Sequence, residues 1–157
     1  MVLTLSTPLS LYFIPAVWLT AFLPVTFKTI LIHQVKGLNN VAPRTSTAAV
    51  TADKNIPPEV AARIMRMEGA HLNGNENFPI WIAAVLAGNI AGLDNRTMNV
   101  TSLIYIAGRI LYNYIYFNQV TEVQSSLRSA VYFGALCCPM YLLFQAAAKM
   151  KAEGRLA

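Results

Sequence analysis

The chain has 157 residues, of which 55% are hydrophobic and 12% are charged, and its net charge is +5. A soluble domain normally carries about 25% charged residues, so this composition is that of a membrane protein. The basic residues are spread along the chain and form no stripe that would bind nucleic acid. We therefore expect a single integral membrane domain over residues 1–157, with room for about four spanning helices of ~20 residues each.

Four apolar blocks predict an all-α fold of four membrane-spanning helices. We place these helices at about residues 9–35, 58–92, 97–118 and 125–150. The second begins at Pro58, far ahead of its apolar half, because proline suits the first turn of a helix. Its predicted length of roughly 50 Å exceeds the bilayer core, so its first half should project from the membrane. The segment before it is rich in Asn, Pro, Ser and Thr and is typical of a polar surface loop.

Three side chains inside the apolar blocks are unusual for such positions. Lys28 lies near one end of the first block, where its ammonium can snorkel to the lipid headgroups. Cys137 and Cys138 are adjacent in the fourth block, which suits neither a disulfide nor a zinc site. We expect both cysteines to be small buried apolar residues, and we expect no metal site.

Loop one joins the first and second helices, and loop three joins the third and fourth. The distribution of Lys and Arg favours an orientation with loops one and three in the cytosol. On this topology the loop between the second and third helices is lumenal and carries glycosylation sequons at Asn95 and Asn99. Both asparagines lie so close to the membrane that their modification is doubtful.

Two of the predicted helices carry a polar face within the apolar sequence. An arc of about 100° on the second helix holds Arg66, Gly69, Asn73, Glu76 and Asn77. One face of the third helix holds Tyr105, Arg109, Tyr112, Asn113 and Tyr116. His71 points away from the first of these faces, as expected of a surface or interhelical hydrogen-bonding group rather than a metal ligand.

An arginine inside a spanning helix needs an anionic partner. Glu76 is the acid at a depth comparable to Arg109, so we predict a Glu76–Arg109 contact within or between subunits. The alternative is that these polar side chains only hold the helices together, at ~0.6 kcal/mol per hydrogen bond. Their clustering favours a site that an anionic ligand reaches from the cytosol and an apolar ligand reaches from the bilayer.

The sequence "RMEGAHLNGNENFPIWI", followed about 30 residues later by "GRILYNYIY", resembles the MAPEG superfamily of membrane-associated proteins in eicosanoid and glutathione metabolism. That superfamily includes microsomal glutathione transferases, leukotriene C4 synthase, microsomal prostaglandin E synthase and the five-lipoxygenase activating protein. The resemblance implies a homotrimer in the endoplasmic reticulum membrane, with glutathione as a co-substrate bound between subunits and a hydrophobic small molecule or lipid as the second partner.

The resemblance also implies roles for individual residues. It assigns glutathione binding to Arg66, Asn73, Glu76, Arg109, Tyr112 and Ser129. It assigns catalysis to Arg128 and Tyr116, with Arg128 matching the arginine that stabilises the glutathione thiolate. The chemistry is sound, because a cation beside a thiol lowers the pKa of that thiol.

Two functions follow from the resemblance. The leading one is a glutathione-dependent membrane transferase or peroxidase that acts on a hydrophobic electrophile. The alternative is a non-enzymatic lipid-binding or scaffold protein like the five-lipoxygenase activating protein. Arg128 and Tyr116 favour the enzyme, whereas Gly69, at a position where many active members have arginine, favours the alternative. Conjugation, peroxide reduction and isomerisation all remain open.

Overall fold

The computed structural model describes residues 4–155, and over this range it contains helices and no strand. Its α-helices are, in chain order, α1 (Phe13–Val35), α2 (Ser46–Thr51), α3 (Pro58–Ile90), α4 (Asn95–Asn118) and α5 (Glu122–Ala152). The prediction of an all-α fold is confirmed. The four long helices cover the four predicted segments, whereas α2 lies in the segment that we predicted as a loop.

Local sequence signals fix where the helices begin. At the start of α3, Pro57 is the extended N-cap residue and Pro58 the first helical residue, a position where the missing N–H is not needed. Before α4, the Asp94 carboxylate accepts a hydrogen bond from the Thr97 backbone N–H at 2.9 Å. Hydrogen bonding by Thr97 holds the pKa of Asp94 below its usual value. A capping box formed by Thr121 and Gln124 starts α5.

Helices α3 and α4 form the centre of the bundle, and α1 and α5 pack on opposite sides of this pair. Each outer helix contacts both central ones, and within residues 4–155 α1 and α5 do not contact each other. The main core is built around Trp81 of α3, whose ring stacks on that of Tyr105 in α4 with centroids 4.4 Å apart. Val17 of α1 and Leu142 of α5 complete this core.

A second apolar cluster explains why α2 forms. Val50 of α2 and Ile56 pack against Ile32 of α1 and Ile64 of α3, so α2 covers the first half of α3. This cover also encloses Lys28, whose ammonium donates to the Glu68 carboxylate at 3.1 Å and to the Thr47 hydroxyl. The prediction that Lys28 snorkels is therefore wrong, because the ammonium finds its partners inside the protein.

The outer surface of the bundle is apolar. Helix α5 and the segment Ser10–Val35, which comprises α1 and a preceding 3-10 turn, are long and apolar enough to cross a membrane. Helices α3 and α4, of 33 and 24 residues, also have the length to span a bilayer, but they carry the polar faces described above. Large exposed apolar side chains cover α1, α4 and α5, among them Trp18, Phe22, Leu103, Ile110 and Phe144.

Two sequence expectations about single residues have different outcomes. Cys138 is buried as expected, but Cys137 is exposed because it lies on the outer face of α5. Asn99 is buried, and its amide donates to the backbone carbonyls of Leu5 and Thr7. In the folded chain the Asn99 side chain thus serves to hold the segment that precedes α1.

The Lys28–Glu68 pair predicts that Glu68→Gln destabilises the bundle. The substitution leaves the buried ammonium with neutral acceptors, and we expect a loss of about 1–3 kcal/mol, since the Glu68 carboxylate is itself partly exposed. Thermal unfolding in detergent measures the effect. Glu59→Gln, which changes an exposed carboxylate in the first turn of the same helix, is the matched control. Equal melting temperatures for the two variants would contradict the prediction.

Candidate functional site

A cleft of about 200 Å³ opens between α3, α4 and α5. Its lining consists of Asn73, Tyr112, Arg128, Ser129, Tyr132 and Phe133. Four of the eight residues that the sequence assigned to the site, Asn73, Tyr112, Arg128 and Ser129, therefore meet in one place. They come from three helices, so the cleft exists only because α5 packs against the α3–α4 pair.

Arg109 is buried beneath the cleft, with 3% of its surface exposed. Its Nη1 donates to the side-chain oxygen of Asn73 at 2.9 Å, and its guanidinium carbon lies 4.7 Å from the centre of the Tyr112 ring. Its Nη2 is buried without a hydrogen-bond partner in the part of the chain that the structure describes. Within one chain, the partner of Arg109 is thus an amide and an aromatic face rather than the predicted Glu76 carboxylate.

This contact also orients the amide of Asn73. Because a guanidinium only donates, the amide oxygen of Asn73 must face Arg109, and the amide nitrogen is left to donate elsewhere. Asn73 lines the cleft, and the lining contains a guanidinium and several hydroxyl groups but no carboxylate. The surface of the cleft is therefore positively charged and rich in donors, which suits an anionic ligand.

Tyr132 is a site residue that the sequence analysis missed. Its hydroxyl donates to the Asn77 side chain at 3.3 Å, and the amide of Asn77 donates to the Asn73 backbone carbonyl at 2.8 Å. Tyr132 thereby joins α5 to the polar face of α3. Its position four residues after Arg128, on the same face of α5, is the sequence signal that could have identified it.

Arg128 lies on the ring of Tyr116. The guanidinium carbon is 4.5 Å from the ring centre, and Nη2 donates to the Ser125 hydroxyl at 3.3 Å. The Tyr116 hydroxyl in turn lies against the bare backbone of Gly69, where a Cβ atom would approach it to 2.5 Å. Tyr116 is therefore beside the cleft and beneath Arg128, and it occupies the space that a side chain at position 69 would need.

Four of the residues assigned by the resemblance do not line the cleft of one chain. Arg109 and Tyr116 contact residues of its lining, whereas Arg66 and Glu76 have other surroundings. Arg66 donates through Nε to the backbone carbonyl of Phe117 at 3.2 Å, at the last turn of α4, where the negative end of the helix dipole favours a cation. Glu76 is exposed on the outer face of α3. The interior of the cleft therefore has fewer charged groups than the resemblance implied.

The opposite face of α3 has a structural role. A ring nitrogen of His71 lies 2.8 Å from the carbonyl oxygen of Ala21 in α1, so His71 is the interhelical hydrogen-bonding group that the sequence predicted. Within residues 4–155, no group of three or more His, Cys, Asp or Glu side chains could hold a metal ion.

The fold and the cleft define a helical membrane protein with a cationic, donor-rich site next to an apolar surface. A family model described as the MAPEG family matches residues 9–148, nearly the whole chain. The chain belongs to the MAPEG family, as its motifs suggested. No curated protein and no solved structure matches it.

The Arg109–Asn73 contact predicts an unusual effect of Asn73→Asp. The new carboxylate has the shape of the amide and gives Arg109 an anionic partner, so we expect the bundle to gain about 1 kcal/mol of stability. The same charge should weaken anion binding in the cleft. Thermal unfolding in detergent tests the first effect, with Asn55→Asp in an exposed loop as the control. A lower melting temperature for Asn73→Asp than for Asn55→Asp would refute the pairing.

Proposed function

We propose that this protein is a glutathione-dependent membrane transferase or peroxidase that acts on a hydrophobic electrophile. The observation that carries the proposal is the cleft in which Arg128, Ser129, Asn73 and Tyr112 meet above the buried Arg109. Glutathione carries two carboxylates and one ammonium at neutral pH, so it suits a cationic surface rich in hydrogen-bond donors. Family membership supports the same proposal, because the MAPEG family includes glutathione transferases.

In the proposed mechanism Arg128 activates the glutathione thiol. A guanidinium within ~4–6 Å of the sulfur stabilises the thiolate and lowers the pKa of the thiol by one to a few units. The thiolate then attacks an electrophilic carbon, and a leaving group departs with the bonding electrons or a double bond accepts them. With a peroxide, the thiolate attacks one oxygen of the O–O bond, which breaks to release an alkoxide that takes up a proton and to leave the sulfenic acid of glutathione. A second glutathione thiol attacks the sulfur of this sulfenic acid and displaces water, so the peroxide is reduced to an alcohol and two glutathiones are oxidised to a disulfide. Asn73, Tyr112 and Ser129 hold the tripeptide by hydrogen bonds.

The second substrate would reach the cleft from the bilayer. Phe133, which lines the cleft, is 64% exposed on the outside of the bundle. Together with the rings of Tyr112 and Tyr132, it gives the cleft an aromatic wall that continues into the apolar surface. This arrangement supports a hydrophobic electrophile, because the sulfur of glutathione would lie between a polar interior and a lipid-facing edge.

We further propose a homotrimer of four-span subunits in the endoplasmic reticulum membrane, with loops one and three in the cytosol. The cleft of one chain is smaller than the ~300–1,000 Å³ of ordinary ligand sites, so a second copy would complete it. Asn75 and Glu76 are exposed on α3 between apolar segments, where an unpaired carboxylate facing lipid would be costly. Another subunit, or the ammonium of glutathione bound between subunits, would give Glu76 its partner.

A second candidate function is a non-enzymatic lipid-binding or scaffold protein like the five-lipoxygenase activating protein. The observation that favours it is the absence of a cation at Gly69, combined with the engagement of Arg66 at the end of α4. Calorimetric titration of glutathione into the detergent-purified protein separates the two candidates. We expect saturable heat and a raised melting temperature at millimolar glutathione. No heat and no stabilisation would reject the enzyme in favour of the scaffold.

The thiolate mechanism makes a specific prediction for Arg128→Ala. Glutathione added to the parent protein near neutral pH should produce the ultraviolet absorbance of a thiolate, and the variant should lack this signal. The affinity of the variant for glutathione should fall by a smaller factor than its turnover number. We expect the turnover number to fall by a factor of ~10 or more, because one pKa unit of thiol activation corresponds to a tenfold change in the ionisation equilibrium. Arg96→Ala, at the exposed start of α4, is the control. Equal conjugating activity in Arg128→Ala and the parent would show that another residue activates the thiol.

A further inference from the structure

We propose that Gly69 is a positioning residue for Arg128. Because Gly69 has no side chain, the Tyr116 hydroxyl can occupy the space beside it. In this position the ring of Tyr116 lies beneath the Arg128 guanidinium and holds it at the cleft. This inference rests on the proposed function for its consequence in catalysis, but the placement of Tyr116 and Arg128 is a property of the bundle. It also gives a reason why this chain carries glycine where the resemblance leads one to expect arginine.

The steric fit at Gly69 is specific to the tip of Tyr116. A Cβ atom at this position would lie 2.5 Å from the Tyr116 hydroxyl oxygen and 3.1 Å from the ring carbon that bears it. The first distance is far inside van der Waals contact, so any side chain at position 69 must displace the hydroxyl. The second distance is tight but within reach of a small adjustment.

The displaced group would be the tyrosine and not the helix. The hydroxyl is the far end of a side chain that can rotate, whereas a Cβ at Gly74 on the same helix would meet the backbone of Ala21 at 2.8 Å. Gly74 therefore serves the packing of α3 against α1, and Gly69 serves the placement of one side chain. Alanine also has a higher helix propensity than glycine, so Gly69→Ala should leave α3 intact.

Movement of Tyr116 would release Arg128. Within the described chain the guanidinium makes one cation–π contact, with Tyr116 at 4.5 Å from the ring centre, and one hydrogen bond, to the Ser125 hydroxyl at 3.3 Å. A cation over an aromatic ring is held by the ring's electrostatic field, and this attraction depends on the ring lying beneath it. Without the ring, a long side chain at the first turns of α5 samples many rotamers. A guanidinium that is spread over many positions stabilises a thiolate poorly.

The test is a double-mutant cycle on the detergent-purified, full-length protein, with Gly69→Ala, Tyr116→Phe and the two combined. Gly69→Ala alone should lower the turnover number about tenfold, equivalent to ~1.4 kcal/mol, with little change in the KM for glutathione. In the Tyr116→Phe background the hydroxyl that clashes is gone and the ring remains. Adding Gly69→Ala there should change the turnover number less than about twofold, a non-additivity that marks direct coupling of the two positions.

A second measurement examines, without glutathione, how firmly the Arg128 guanidinium is held. Phenylglyoxal modifies arginine side chains, and mass spectrometry of the peptides gives the rate for Arg128. We expect Gly69→Ala to raise this rate severalfold and the combined variant to restore it, while Gly134→Ala, at a glycine with nothing within 4 Å of its Cβ position, has no effect. Equal rates in the parent and Gly69→Ala overturn the inference, whatever the enzymatic result. Failure of the parent to bind glutathione rejects the proposed function alone, since the modification rates still test whether Gly69 and Tyr116 position Arg128.

Discussion

Arg109 is a permanent cation buried between α3 and α4, and the need to stabilise it shapes the rest of the bundle. An arginine in an apolar interior cannot lower its cost by losing its proton, so the protein must supply partners. It supplies the oxygen of Asn73 and the face of Tyr112. Both residues are also walls of the cleft, so the contacts that stabilise Arg109 fix the orientation of the site. The stability of the bundle and the shape of the cleft therefore depend on the same few side chains.

Helix α3 can carry the site because it is held on both of its faces. On one face, Glu68 binds the ammonium of Lys28 and His71 contacts the Ala21 carbonyl, which fixes α3 against α1. On the other face, Asn73 meets Arg109 of α4. Polar contacts to two neighbours define the rotation of a helix more sharply than apolar packing alone, since a hydrogen bond tolerates little change in distance or angle.

The sequence predicted the four long helices and their polar faces, but it missed α2 and could not predict which groups on those faces meet. Helical periodicity predicts that Asn73 and Arg109 face each other's helices, and the structure joins them by a hydrogen bond, but Glu76, predicted on the same face as Asn73, is exposed on the outside of α3. The choice between Asn73 and Glu76 as the partner of Arg109 depends on the rotation and height of α3 relative to α4, which periodicity does not contain. Lys28 was misjudged for a similar reason, because the helix that encloses it, α2, is only six residues long and has no strong pattern.

The charge of the cleft bears on the choice between the two candidate functions. Among the described residues that line it, Arg128 is the one cation, since Arg109 is buried beneath and Arg66 is bound at the end of α4. If the Arg128 guanidinium stabilises a thiolate, it is not available to bind the carboxylates of the tripeptide. Those carboxylates must then rely on neutral donors such as the Asn73 amide, or on cations of a second subunit. An enzyme on this scaffold would thus bind the carboxylates of glutathione through neutral donors or through a second copy of the chain, whereas a lipid-binding protein would need only the apolar edge of the cleft near Phe133.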